Sequence, residues 1–199
     1  MNRYSKSPSA IIVFTMLALL ILLLLPLTVN SSKEYSPISE NSILPQQCCL
    51  EFNGTRAFTY LEEQCAFGPR PPGSSNLTAC GNYIITSLEN QGWNIQTQTW
   101  THQDTSLRNI IAGASSSPRY VLLAHYDTRP IADMDPNPEN RTQPILGAND
   151  GASGVAALLE LASVLPEGAQ NVVTLLFVDA EDSGNWNGWE YIVGSTYYV

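Results

Sequence analysis

Asn171-Val-Val-Thr-Leu-Leu-Phe-Val-Asp-Ala-Glu-Asp182 runs from an unbroken apolar block into three acids within four positions. An apolar run of this length, rich in Val, Leu and Phe, predicts a strand buried on both faces of a sheet. The acids then fall at its carboxyl end, where open α/β sheets bind their ligands. Tyr120-Val-Leu-Leu-Ala-His-Tyr-Asp127 repeats the design, with His125 and Asp127 directly after a second apolar block. Between the two, Gly147-Ala-Asn-Asp-Gly-Ala-Ser-Gly154 opens a helical pattern over 151–165, with Val155, Leu158, Leu159 and Ala162 on its inner face. Its Asp150 sits at the start of that helix.

Upstream, Ala57, Tyr60 and Leu61 share one helical face. A second helix is expected over 77–91, with Tyr83, Ile84 and Leu88 inward and Gly92 as its terminal glycine. The segment 93–100 alternates with period two, and 109–112 reads as a short strand. A further helix is expected within 189–199. Strands alternating with helices predict a three-layer α/β/α sandwich with a mixed, mainly parallel sheet.

The amino-terminal end differs. Arg3 and Lys6 precede an uncharged run whose core, Ile11 to Val29, is almost wholly apolar. A membrane-spanning helix needs about 20 such residues. The basic residues belong on the cytoplasmic side. The chain is therefore divided into a cytoplasmic stretch 1–9, a transmembrane signal anchor 10–29, a polar linker 30–50 and a catalytic domain 51–199 facing outside. The competing reading is a cleaved signal peptide and a secreted protein. In either compartment thiols tend to pair. Cys65 and Cys80 bracket a Pro/Gly-rich loop, and a disulfide between them is expected. A net charge of −9 argues against nucleic acid as a partner, because phosphate binding needs clustered Lys and Arg.

His125, Asp127, Asp150, Glu181 and Asp182 are the candidate site. Singly, each has a commonplace use. An Asp at a helix start is usually a cap, an Asp after a strand a turn residue, a lone His a satisfied structural group. Jointly, in order and each at the end of an apolar element, they form one imidazole and several carboxylates at one edge. Carboxylates brought together repel unless a cation joins them. This N/O donor set suits zinc, with one carboxylate left over to move protons. The 147–154 turn lacks the Lys of a phosphate-binding loop. No Gly-x-Ser-x-Gly elbow marks a serine hydrolase. His102 lies in a polar stretch and is expected at the surface.

From about Leu61 onward the chain resembles the zinc-dependent exopeptidase family of the M28 type, which includes bacterial leucyl aminopeptidases and animal-type glutaminyl-peptide cyclases. The resemblance rests on Ala66-Phe-Gly-Pro-Arg-Pro-Pro-Gly-Ser74, Leu123-Ala-His-Tyr-Asp127, Gly147-Ala-Asn-Asp-Gly-Ala-Ser-Gly154 and Phe177-Val-Asp-Ala-Glu-Asp182. The stretch 128–138 looks more like the bacterial glutaminyl cyclases. The resemblance implies that Asp150 and Asp182 ligate zinc, with Asp150 bridging two ions in an aminopeptidase, and that Glu181 is the general base or proton carrier. It implies that His125 binds a second zinc in an aminopeptidase, and is retained beside a single zinc in a cyclase. Asp127 would orient the site from behind. Many relatives carry Glu where this chain has Asp182. The family also uses a further acid and a histidine downstream, and none is identified up to Val199, so the site is expected to be incomplete in the chain as given. The implied substrates are peptide N-termini. The leading expectation is a glutaminyl-peptide cyclotransferase, the second a zinc aminopeptidase, and the third a non-catalytic ectodomain of the same fold.

Overall fold

Thirteen residues from Gly54 to Ala66 form the first helix, α1. Asn53 caps it by accepting a hydrogen bond from the Arg56 N–H. The stripe Ala57, Tyr60, Leu61 and Gln64 turns inward at helical spacing. The structure, a computed structural model, describes residues 51–166 and 168–199. The proposed anchor and the linker therefore lie outside the described residues.

Helix α2 spans Ser75–Asn90, capped by the Ser74 hydroxyl, and buries Leu77, Cys80, Ile84 and Leu88. Gly92 ends it in the left-handed region at φ 81°. Strand β1, Ile95–His102, turns through Gln103 and Asp104 into β2, Thr105–Ala112. Both turn residues have positive φ, the geometry that matches the twist of a two-residue hairpin. Strand β3 is Tyr120–His125, α3 is Ser153–Val164, β4 is Val173–Val178 and α4 is the short Val193–Tyr198.

The strand order is β1-β2-β4-β3. The sheet is mixed, as expected, but among the described strands it is not mainly parallel. Only β3 and β4, joined through α3, run parallel, while β1–β2 and β2–β4 are antiparallel. The reason is the tight hairpin, since a two-residue link joins only antiparallel strands. One face carries the core: Ile84 and Leu88 of α2, Ile110 of β2, Val155 and Leu159 of α3, and Leu175 and Phe177 of β4. The opposite face is covered at one end, where Leu107, Ala180 and Val193 pack with Trp100 and Trp189. Among the described residues the third layer is thus α4 alone.

β4 is buried as its sequence predicts. β3 is not: Tyr120, Val121, Leu122 and Leu123 are 36–54% exposed. β3 lies at the edge of the described sheet, and β4 is its one partner there. The expected Cys65–Cys80 disulfide is absent; both are free thiols. Cys80 faces the core from α2 while Cys65 sits half-buried in the last turn of α1, and burial pushes the Cys80 thiol up to about 11. His102 is half-buried rather than a surface residue, edge-on to Trp189 at 5.1 Å.

Helices α1 and α3 are joined by one buried carboxylate. Glu160 accepts hydrogen bonds from the Asn53 N–H at 2.7 Å and from Arg56 Nε at 2.6 Å and Nη2 at 2.7 Å. Its side chain is fully buried, whereas that of Arg56 is 45% exposed and regains water readily. Glu160→Ala is therefore expected to cost about 1–3 kcal/mol. Urea denaturation checks this, with a lower midpoint at an unchanged slope.

Candidate metal and catalytic site

The carboxyl ends of β3 and β4 lie side by side, with His125 opposite Val178 in the register. Residues 125–127 and 179–182 therefore leave the sheet together. Asp127 links the two. Its carboxylate is fully buried and accepts from the backbone N–H groups of Glu181 at 3.1 Å and Asp182 at 3.2 Å. The same carboxylate lies 3.3 Å from His125 Nδ1. A buried anion holding two N–H groups and an imidazole fixes both the loop and the ring.

Asp150 arrives from the other side. The turn before α3 is not regular helix: Asp150 is extended at φ −97°, ψ 105°, and Gly151 takes φ 100°. A side chain at 151 would meet the Asp127 carbonyl at 2.7 Å, so only glycine lets the turn approach the end of β3. Asp150 is thus not a helix cap. Its Oδ1 lies 2.9 Å from His125 Nε2. Burial works against the imidazolium, but the hydrogen bond and charge of Asp127, then those of Asp150, outweigh it and push His125 up to about 9. Zinc demands this imidazole neutral, so metal and proton compete for it.

Glu181 turns toward α4, where its carboxylate accepts from the Ser195 N–H at 2.7 Å and the Ser195 hydroxyl at 2.9 Å. Burial raises its pKa, partly offset by those two bonds. Asp182 is raised as well, by burial and then by the charge of Asp150, with Arg129 opposing. Arg129 donates to the Asp182 carbonyl and the Gly184 carbonyl, both at 3.2 Å, and its Nη1 lies 3.5 Å from Asp182 Oδ1. Asp133 pairs with the same guanidinium, and Tyr191 lies under it. A cleft of about 610 Å³ opens here, lined by Asp150 and Asp182 together with Ile131, Met134, Ile145 and Tyr191.

All five predicted site residues thus lie at one end of the sheet, but their side chains do not all converge. His125 and Asp150 are in direct contact, and Asp127 braces His125 and the 181–182 backbone. The Asp182 carboxylate faces Arg129 instead, and among the described residues no three His, Cys, Asp or Glu side chains converge on one point. The donors still fit zinc in type. Tetrahedral bonds of about 2.0–2.2 Å set neighbouring ligand atoms about 3.3–3.6 Å apart, so the 2.9 Å His125–Asp150 hydrogen bond would have to open by about half an ångström around an ion. Ser195 carries no motif that marks it in the sequence, and Arg129 falls in the 128–138 stretch, where the resemblance gives it no role of its own.

Asp179 stands apart from this cluster. It is 2% exposed, its Oδ2 accepts from the Arg108 N–H at 3.0 Å, and its Oδ1 has no partner. Burial, then the charge of Asp127, push it up to about 8. The folded state therefore holds this proton more tightly than the unfolded chain, where Asp titrates near ~3.9. Stability from this group is full below ~4 and is lost as pH rises toward about 8. Asp179→Asn keeps an acceptor for Arg108 and removes the charge. It is expected to match the parent in acid and to exceed it by on the order of 1 kcal/mol at the alkaline end, read from melting curves across pH.

The sheet brings one imidazole and several carboxylates to the carboxyl ends of β3 and β4, and proteins of the same arrangement of elements are among the zinc exopeptidases and glutaminyl cyclases. Residues 109–199 match the model of peptidase family M28. It is 38% identical to a leucine aminopeptidase precursor of Bacteroides thetaiotaomicron VPI-5482, with a TM-score of 0.66. It is 37% identical to the glutaminyl cyclase of Bacteroides thetaiotaomicron, with a TM-score of 0.67. It is 34% identical to a Zn-dependent exopeptidase of Parabacteroides distasonis ATCC 8503, also at 0.67. Each match covers 74% of this chain and 56% of the other. The glutaminyl-peptide cyclotransferase of Drosophila melanogaster is 29% identical over 142 residues, which cover 64% of this chain and 37% of the fly protein. The chain thus spans little more than half the length of the solved relatives, and about a third of the curated one.

Proposed function

We propose that this protein is a zinc-dependent glutaminyl-peptide cyclotransferase. The observation that carries the reading is the joint placement of His125, Asp150 and the Asp127-braced 181–182 loop at one sheet end, beside a cleft large enough for a peptide terminus. Asp150 and Asp182 would hold zinc, with His125 beside them. Zinc bound there supplies Lewis-acid polarisation of a carbonyl.

The chain's own groups account for the rest. The cleft takes the N-terminal glutamine, its apolar walls Ile131, Met134 and Ile145 against the side-chain methylenes. Glu181, its carboxyl raised by burial and held by Ser195, is suited to carry a proton. It takes the proton from the α-amine as that nitrogen attacks the γ-amide carbon. It returns the proton to the departing amide nitrogen, which leaves as ammonia. One C–N bond forms, one breaks, and the peptide keeps its length with a pyroglutamyl ring at its start.

An aminopeptidase is the second reading, favoured by the direct His125–Asp150 contact, the pair the resemblance assigns to a second zinc ion. The products separate the two. Ammonia without free amino acid from Gln-initiated peptides supports the cyclase. Free amino acids from several peptides, without ammonia, overturn it. The apolar run 10–29 supports a membrane-anchored enzyme with its site outside the cytoplasm.

A further inference from the structure

The Pro-Arg-Pro motif at 69–71 has no part in the chemistry above, yet its arginine is the largest fully buried side chain among the described residues. Arg70 is 0% exposed, and among those residues no carboxylate lies within ion-pair distance of it. Every hydrogen bond of its guanidinium goes to a backbone carbonyl. Nε donates to Tyr126 at 3.2 Å, and Nη1 to Gln64 at 3.2 Å, Gly68 at 3.1 Å and Leu146 at 3.2 Å. Nη2 donates to Gly147 at 3.2 Å. Its own backbone is clasped by Thr128, through Arg70 N–H to Thr128 Oγ1 at 2.8 Å and Thr128 N–H to the Arg70 carbonyl at 3.0 Å.

Burying an unpaired cation is costly, so a fold that does it has a use for the geometry. The carbonyls belong to three separate segments. Gln64 and Gly68 lie at the end of α1. Tyr126 sits between His125 and Asp127. Leu146 and Gly147 lead into the turn that presents Asp150. A planar fork with five donors reaches all three at once, whereas an ammonium presents its donors from a single point.

We propose that Arg70 is a positioning residue that sets the spacing between the His125–Asp127 strand end and the Asp150 turn, and thereby the geometry of the metal site. The inference rests on the zinc reading above. A residue acting from behind the ligands changes metal affinity by roughly 10- to 100-fold.

The test uses Arg70→Lys and, as a control on the zinc reading itself, Asp150→Asn. Zinc affinity is measured by competition with a chromophoric chelator, and the site is also loaded with Co²⁺ and its visible spectrum recorded. The expected result is that Arg70→Lys unfolds cooperatively with native circular dichroism, binds zinc roughly 10- to 100-fold more weakly and shifts the Co²⁺ bands. If Arg70→Lys loses stability but binds zinc and absorbs as the parent does, Arg70 is a packing residue and the proposal fails while the zinc reading stands. If Asp150→Asn binds zinc like the parent, both fail. Should Arg70→Lys not fold, Thr128→Val deletes the acceptor that clasps the Arg70 backbone. It must shift the Co²⁺ bands in the same direction, and unshifted bands overturn the proposal.

Discussion

Glu181→Gln is expected to lower kcat for ammonia release by roughly 100- to 10,000-fold, the usual worth of a positioned proton carrier. The protein should fold and hold zinc as before. The structure explains why the change is so selective. The Glu181 carboxylate accepts from the Ser195 N–H and hydroxyl. A glutamine oxygen keeps the first bond. The Ser195 hydroxyl, within 3.3 Å of the Ile192 carbonyl, turns to donate there and accepts from the new amide N–H. Shape and bonds survive, and the exchangeable proton is lost. Parallel measurement of kcat, KM, melting temperature and zinc content checks this. A variant retaining more than about a tenth of parental kcat would remove Glu181 from the chemistry.

The second large effect is structural and catalytic together. Asp127→Ala removes one buried carboxylate that serves the Glu181 N–H, the Asp182 N–H and the His125 ring. Two half-buried backbone N–H groups lose their acceptor and the imidazole its inner partner. The expected cost is about 3–5 kcal/mol, the range for stripping a buried charge network of one member. Activity and zinc content should fall with it, because the loop carrying Glu181 and Asp182 is no longer tied to the end of β3. Asp127→Asn sits between the two, since its amide nitrogen faces an N–H it cannot accept. A loss of activity at unchanged stability would mean that the loop is held by something other than Asp127.

The site residues were legible because each follows an apolar element, and apolar runs are what a sequence displays most plainly. Phe177-Val-Asp-Ala-Glu-Asp182 and Leu123-Ala-His-Tyr-Asp127 announce strand ends, and the described sheet puts those ends side by side. Strand direction was less legible. The β1–β2 turn is Gln103-Asp104, a pair that takes positive φ without a glycine to advertise it, so the antiparallel hairpin had no strong marker. The burial of β3 was misjudged for a related reason. Tyr120-Val-Leu-Leu-Ala reads as doubly buried by composition, and its place at the described sheet's edge depends on partners composition does not name. Asp150 taken alone reads as a helix cap, and only its company with the other polar groups makes it a metal-ligand candidate. The structure gives it no capping role, because Gly151 breaks the helix start. The roles of Arg70 and Arg129 have no local signature, because their bonds to the site reach across 53 to 77 residues of chain, and Ser195 meets Glu181 from 14 residues away, which no periodicity records.

The most direct measurement is to express the protein from its complete reading frame, strip it of metal with a chelator, add zinc back in steps, and follow one Gln-initiated peptide by mass spectrometry. The account predicts no conversion in the stripped protein. With zinc restored, the peptide loses one ammonia, keeps every residue, and converts in proportion to the metal bound. A peptide shortened by its first residue, or conversion that ignores chelation and zinc alike, would contradict it.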